Sequence, residues 1–209
     1  MKDHIARLGA RYPALEPIRT RIEEAFELIR ASYDRGGKLL IAGNGGSAAD
    51  SEHIVGELMK GFVKKRELDE EFKQKLCECD SELGKKLAEG LQKSLRAIAL
   101  TSHTALSTAF ANDVDPEMLY AQQLNGYGDE GDVFLAISTS GNAKNLYYAA
   151  LTAKAKGMKI ILLGGRDGGR LKALADISLI APSDETFMIQ EYHLPIYHAL
   201  CLQLEEYFF

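Results

Sequence analysis

The sequence predicts an α/β protein, a three-layer α/β/α sandwich on a five-stranded parallel sheet. Five short apolar runs, rich in β-branched residues or leucine, punctuate the chain, and stretches of helical period separate them. The runs are near-continuously apolar, as strands covered on both faces are. At 209 residues and 46% hydrophobic content, the chain suits a single domain spanning residues 1–209.

The elements follow in order. An opening helix is expected over Leu15–Asp34, where Ile18, Ile22, Phe26 and Ile29 recur at three- and four-residue spacing until Gly36-Gly37 stops it. The first strand, Lys38–Ala42, runs into the turn GNGGSAAD and a helix carrying His53 and Glu57. A charge-rich segment over about 64–94 places Leu68, Phe72, Leu76, Leu83, Leu87 and Leu91 at roughly helical spacing, predicting an inserted arm of one or two amphipathic helices. Strands are then expected at Leu95–Leu100, Val133–Ile137, Lys159–Leu163 and Asp176–Ile180. A last helix starts near Phe187, runs towards the C-terminus and should kink at Pro195.

Composition removes several function classes. A formal charge of −5 gives no basic footprint for nucleic acid or a membrane surface. No apolar leader or membrane-length segment is visible, so the cytoplasm is the expected location. Cys77, Cys79 and Cys201 fit no disulfide framework and are expected as reduced thiols. The turn GNGGSAAD departs from G-x-G-x-x-G, and no acidic residue ends the second strand to hold a ribose, which argues against a dinucleotide.

The same turn follows a strand and opens a helix, where unpaired N–H groups and the helix dipole attract anions. Gly43, Gly45 and Gly46 permit close backbone approach, and Ser47 adds a hydroxyl. The later stretch STSGNAKN repeats the arrangement with Ser138, Thr139 and Ser140, more hydroxyls than one cap requires, so it reads as a phosphomonoester cradle. His53 and Glu57 lie four apart on one helical face, and Gln190 and His198 lie eight apart on another. Together they suggest a carboxylate base, an imidazole acid and a divalent metal.

On GNGGSAADSEH, ISTSGN and MIQEYH with its later histidine, the chain resembles the sugar isomerase (SIS) family, nearest the branch that isomerises seven-carbon sugar phosphates. The resemblance implies a flavodoxin-like five-stranded parallel sheet and a homotetramer with sites at subunit interfaces. It also implies interconversion of sedoheptulose 7-phosphate and D-glycero-D-manno-heptose 7-phosphate through a cis-enediol, for bacterial surface polysaccharide. Glu57 would be the base and His198 the acid. Zinc would sit on His53, Glu57, Gln190 and His198, the phosphate on Ser138, Thr139 and Ser140, and the sugar hydroxyl end on Asn44, Gly45 and Ser47, with Gln190 also facing substrate.

The chain departs from the family pattern at Ala143, where a serine is expected, and at Phe187, where an acid is. Ser102 and His103 stand near a missing aspartate, and Lys60 and Gly61 near a missing arginine. The alternatives are a non-catalytic SIS scaffold binding the replication initiator, and an SIS protein acting on or sensing another sugar phosphate. The first is weakened because the scaffold relative lacks the glutamate present here as Glu57.

Overall fold

The computed structural model describes residues 2–209. Five strands, β1 (Leu39–Gly43), β2 (Ala97–Ala99), β3 (Val133–Ser138), β4 (Lys159–Gly164) and β5 (Ile177–Ile180), form one parallel sheet in the order β2-β1-β3-β4-β5. Side chains alternate strictly across it. Leu39, Ile41, Val133, Leu135 and Ile137 enter the core on one face, and Leu40, Ala42, Phe134 and Ala136 the core on the other. Both faces are therefore apolar, which is why the strands read as continuous runs.

Helices cover the two faces. The first layer holds α1 (His4–Arg11), α2 (Arg19–Asp34), α3 (Gly46–Met59) and α9 (Thr186–Phe208). On the other face, α7 (Leu119–Tyr127) and α8 (Lys144–Ala155) contribute Leu124, Leu146, Ala149, Ala150 and Ala153. Before α7 in sequence, α6 (Thr104–Asp113) has no buried residue. The expected insertion forms α4 (Glu70–Cys79) and α5 (Leu83–Gly90), packed on each other, with Gly84 against the Leu76 carbonyl, where a Cβ would not fit.

Two boundaries differ from expectation. The opening helix begins at Arg19, not Leu15, because Pro13 and Pro17 confine Pro13–Ile18 to a 3₁₀ turn, proline lacking the N–H that a continuous α-helix needs. Before that turn, α1 is an additional short helix, with the Asp3 carboxylate accepting from Ala6 N at 2.7 Å as its cap. The second strand shortens to Ala97–Ala99 because it lies at the sheet edge and pairs only with β1.

The strand order reverses between β1 and β3. Ligands of open α/β sheets bind outside the carboxyl ends of strands at such a switch point, and both glycine-rich turns of this chain leave the sheet there.

The last helix is tied to the sheet through His193, which is fully buried. Its Nε2 lies 3.0 Å from the Gly164 carbonyl oxygen. A carbonyl only accepts, so Nε2 carries a proton. Burial, opposed only in part by that bond, pushes the pKa down to about 4. The unfolded chain binds this proton near 6.5 and the folded chain does not. The contribution of His193 is therefore complete above about 6.5 and is lost as the pH falls towards about 4. Urea unfolding should show about 2 kcal/mol lost from this group between about pH 7.5 and pH 5. His193→Gln, which keeps a donor but cannot titrate, should flatten that slope, whereas an unchanged slope would assign the acid sensitivity elsewhere.

Candidate active site

At the first turn, Gly45 has φ +57°, a conformation L side chains rarely adopt. A Cβ on Gly43 would lie 2.5 Å from the Ser47 carbonyl oxygen, and one on Gly46 would lie 2.5 Å from the Gln190 amide nitrogen. Gly46 lets α9 approach the start of α3, setting Gln190 against the turn, while Gly43 lets the turn close on Ser47. The N-terminus of α3 has no side-chain cap, which leaves its dipole end available to a ligand. Ser47 is buried at this start.

Asn44 is fixed by reciprocal amide bonds with Asn145, its Nδ2 donating to Asn145 Oδ1 at 3.0 Å and its Oδ1 accepting from Asn145 Nδ2 at 2.9 Å. Asn145 lies in the first turn of α8, so this pair joins the two glycine-rich turns across the switch point. Tyr120 donates to the Gly43 carbonyl at 2.7 Å beneath them.

In the second turn, Gly141 has φ +64° and its N–H donates to Ser138 Oγ at 3.1 Å. Ser140 Oγ accepts from Asn142 N at 3.2 Å. Thr139 and Ser140 are half-buried, and Ser138 is buried at the strand end. At the start of α8, Ala143 supplies no side-chain cap. Lys144 does not fill that place: its Nζ lies 5.4 Å from the ring centroid of Tyr148, along its own helix.

The titratable groups gather where α3 meets α9. His53 Nε2 lies 3.3 Å from Glu57 Oε1, and the His53 and His198 rings stand edge to face at 5.1 Å between centroids. Tyr197 donates to Asp50 Oδ1 at 3.2 Å and lies 2.9 Å from His53 Nδ1. Because the Asp50 carboxylate only accepts, the Tyr197 hydroxyl accepts the Nδ1–H of His53. The Nε2 lone pair of His53 then faces the Glu57 carboxylate, an arrangement stabilised by a proton or cation between them. Burial raises the Asp50 pKa, against the Tyr197 hydrogen bond, and burial with the neighbouring Asp50 raises that of Tyr197. Burial, then the neighbouring His53, lowers the pKa of His198. Its Nε2 is buried without a hydrogen-bond partner among the described residues.

Of the expected metal set, His53 and Glu57 are in contact, His198 stacks on His53, and Gln190 lies at the first turn. Among the described residues no three His, Cys, Asp or Glu side chains form a ready metal cluster, so His53, Glu57 and His198 are neighbours rather than a closed cage, with Gln190 apart from them at the first turn. The donor types nonetheless suit a borderline cation, and the facing Nε2 and carboxylate together with the orphaned His198 nitrogen fit one. Lys60 Nζ lies 3.4 Å from Glu57 Oε2, so the region of the missing arginine still presents a cation to that carboxylate.

The far end of α3 is held by a group that sequence reasoning missed. Arg66, 1% exposed, donates from Nε to Glu205 Oε1 at 2.8 Å, from Nη1 to the Leu58 carbonyl at 2.6 Å and from Nη2 to the Glu57 carbonyl at 3.0 Å. Glu205 is itself buried and accepts from the backbone N–H groups of Phe62, Val63 and Lys64. Burial alone would raise its pKa, but the Val63 and Phe62 N–H groups and Arg66 outweigh that and hold it low.

Comparison with known proteins identifies the family. The chain is 37% identical to the phosphoheptose isomerase of Helicobacter pylori strain P12 over 207 residues, covering 99% of this chain and 94% of that one. It belongs to the phosphoheptose isomerase family. The phosphoheptose isomerase of Sulfurimonas denitrificans is 38% identical over 194 residues, 93% of this chain and 86% of that protein. The SIS domain model matches residues 84–165. Among solved structures, phosphoheptose isomerase GmhA from Neisseria gonorrhoeae superposes with TM-score 0.75 at 31% identity, covering 97% of this chain and 95% of that one. Family membership thus agrees with the fold.

Proposed function

We propose that this phosphoheptose isomerase family member interconverts sedoheptulose 7-phosphate and D-glycero-D-manno-heptose 7-phosphate, in heptose synthesis for bacterial surface polysaccharide. The observation that carries the reading is full-length similarity to phosphoheptose isomerases combined with Glu57 one helical turn beyond His53, in contact with it. The phosphate docks on Ser138, Thr139 and Ser140 at the start of α8, and Asn44, Gly45 and Ser47 receive the hydroxyl end, with Gln190 beside them. Fixing the phosphate turns proton transfer at the other end into a positioned, effectively unimolecular event.

From the ketose, Glu57 takes a proton from C1 while His198 protonates the oxygen on C2, giving the cis-enediol. Glu57 then returns its proton to C2 as His198 removes the proton from the oxygen on C1. The neutral His198 imidazole suits that exchange. Zinc is the proposed cofactor, held by His53, Glu57, Gln190 and His198, and when bound it would polarise the carbonyl and steady negative charge on the enediol oxygens. NMR of the zinc-supplemented protein with sedoheptulose 7-phosphate should show the aldose appearing to equilibrium, and the ketose should form when the aldose is supplied. No interconversion in either direction would overturn the reading.

The Tyr197–Asp50 pair orients His53 for this role. Tyr197→Phe should weaken zinc binding by about 10–100-fold, measured by chelator competition. Unchanged affinity would show that His53 does not depend on the pair.

No helix among the described residues is long and apolar enough to cross a membrane, and the proposed location is the cytoplasm, where the free thiols of Cys77, Cys79 and Cys201 would remain reduced. The proposed assembly is a homotetramer with sites at subunit interfaces. Support comes from α6, which buries nothing within the chain, and from exposed Leu106, Val114 and Met118 on or beside it.

A further inference from the structure

A second constellation lies on the opposite side of His198. The spacing of His4, Arg7, Leu8 and Arg11 puts them on one face of α1. That face meets Leu194, Pro195, His198, Ala199 and Leu202 of α9 across a cavity of about 170 Å³. The volume far exceeds the 10–15 Å³ or so that one water requires. No Asp or Glu lines it. Glu206, whose field reaches His4, is held by Lys64 at 3.1 Å.

One residue of the cavity wall carries an unpartnered imidazole nitrogen. His4 is 8% exposed, its backbone N–H is taken by Gln203 Oε1 at 2.8 Å, and its ring Nε2 is buried with no partner among the described residues. A buried polar nitrogen without a partner costs free energy, which a ligand recovers once the ring turns to meet it. The two guanidiniums add permanent charge and the forked donor geometry that phosphate oxygens accept. Arg11 lies over the ring of Tyr12, 5.3 Å from its centroid, at the rim.

We propose that the α1–α9 cavity binds a phosphate-type dianion, free or as a small ester, through Arg7, Arg11 and the His4 imidazole. It shares no residue with the Ser138–Ser140 cradle, and it touches the catalytic centre only through His198. Occupancy there should therefore act on turnover rather than on substrate affinity. This coupling rests on the proposed role of His198, whereas the binding site does not.

Calorimetric titration with inorganic phosphate, and separately with glycerol 3-phosphate, tests the binding. The wild-type chain should show two phosphate sites. Arg7→Gln/Arg11→Gln should weaken one about tenfold or more and leave the other, while Thr139→Ala/Ser140→Ala should do the converse. Arg7→Lys/Arg11→Lys should restore part of the loss. Glycerol 3-phosphate binding at the arginine-dependent site would admit esters, and phosphate alone would restrict the site to the free ion.

An isotherm unchanged by the paired Arg→Gln variant would overturn the proposal. So would a shift in sedimentation without a change in phosphate binding, which would assign the cleft to contact between copies. In turnover assays, phosphate should lower kcat in the wild type and act only through KM in the paired Arg→Gln variant. If binding follows the arginines but kcat does not respond, the site stands and the role assigned to His198 falls.

Discussion

Glu57→Gln is expected to lower kcat for sedoheptulose 7-phosphate by about 10²–10⁴-fold, the range supplied by a positioned general base, while the sugar phosphate still binds. The amide keeps the shape of the side chain but cannot take a proton from C1. Binding persists because the phosphate cradle and the Asn44–Asn145 bridge lie on other elements, at the carboxyl ends of β1 and β3. A rise in KM with kcat unchanged would mean that Glu57 contributes only uniform binding. The variant also loses an anionic zinc donor, so the measurement belongs at saturating zinc, with bound metal counted in parallel. Full metal with lost turnover isolates the proton-transfer role.

Breaking the buried ion pair is expected to have the largest effect on stability. Glu205→Gln should cost about 3–5 kcal/mol, because it leaves the Arg66 guanidinium buried with its charge uncompensated. That is a large part of the ~5–15 kcal/mol that holds a typical domain folded. Buried pairs can often be exchanged for apolar residues at little cost, but this one also satisfies backbone groups. The carbonyls of Glu57 and Leu58 depend on Arg66, and the N–H groups of Phe62, Val63 and Lys64 depend on Glu205. Arg66→Met/Glu205→Met should therefore remain destabilised in urea unfolding, since several buried polar groups lose their partners. A double variant as stable as wild type would show that the network is replaceable packing. Because Arg66 holds the carbonyl of Glu57 itself, variants that still fold should also lose turnover.

The sheet was legible because each strand lies between two apolar layers, so that Leu39–Ala42 and Val133–Ile137 could not be other than apolar throughout. The two turns were legible for a related reason: a strand leading through glycine into a helix is written in consecutive residues, with Gly45 and Gly141 both at positive φ. What escaped are contacts between distant residues. Arg66 and Glu205 are separated by 139 positions, and each alone reads as an ordinary surface charge. The Asn44–Asn145 bridge was half visible, since both residues belong to the quoted motifs, but their pairing depends on β1 and β3 being neighbours. Tyr197 and Asp50 carried no local signal, because a tyrosine beside a histidine becomes a second support for His53 only once α9 packs on α3. The prolines at 13 and 17 are the local signal for the later start of the first long helix, and the apolar periodicity that runs through them masks it.

Heptose isomerisation is tested most directly by kcat/KM of the zinc-loaded protein for sedoheptulose 7-phosphate beside that for fructose 6-phosphate, a shorter ketose phosphate. Substrate positioning between the phosphate cradle and the first turn predicts a preference for the seven-carbon sugar of at least about tenfold, the equivalent of one well-placed hydrogen bond. Equal or better turnover of the six-carbon sugar, or none of the heptose, would contradict the account.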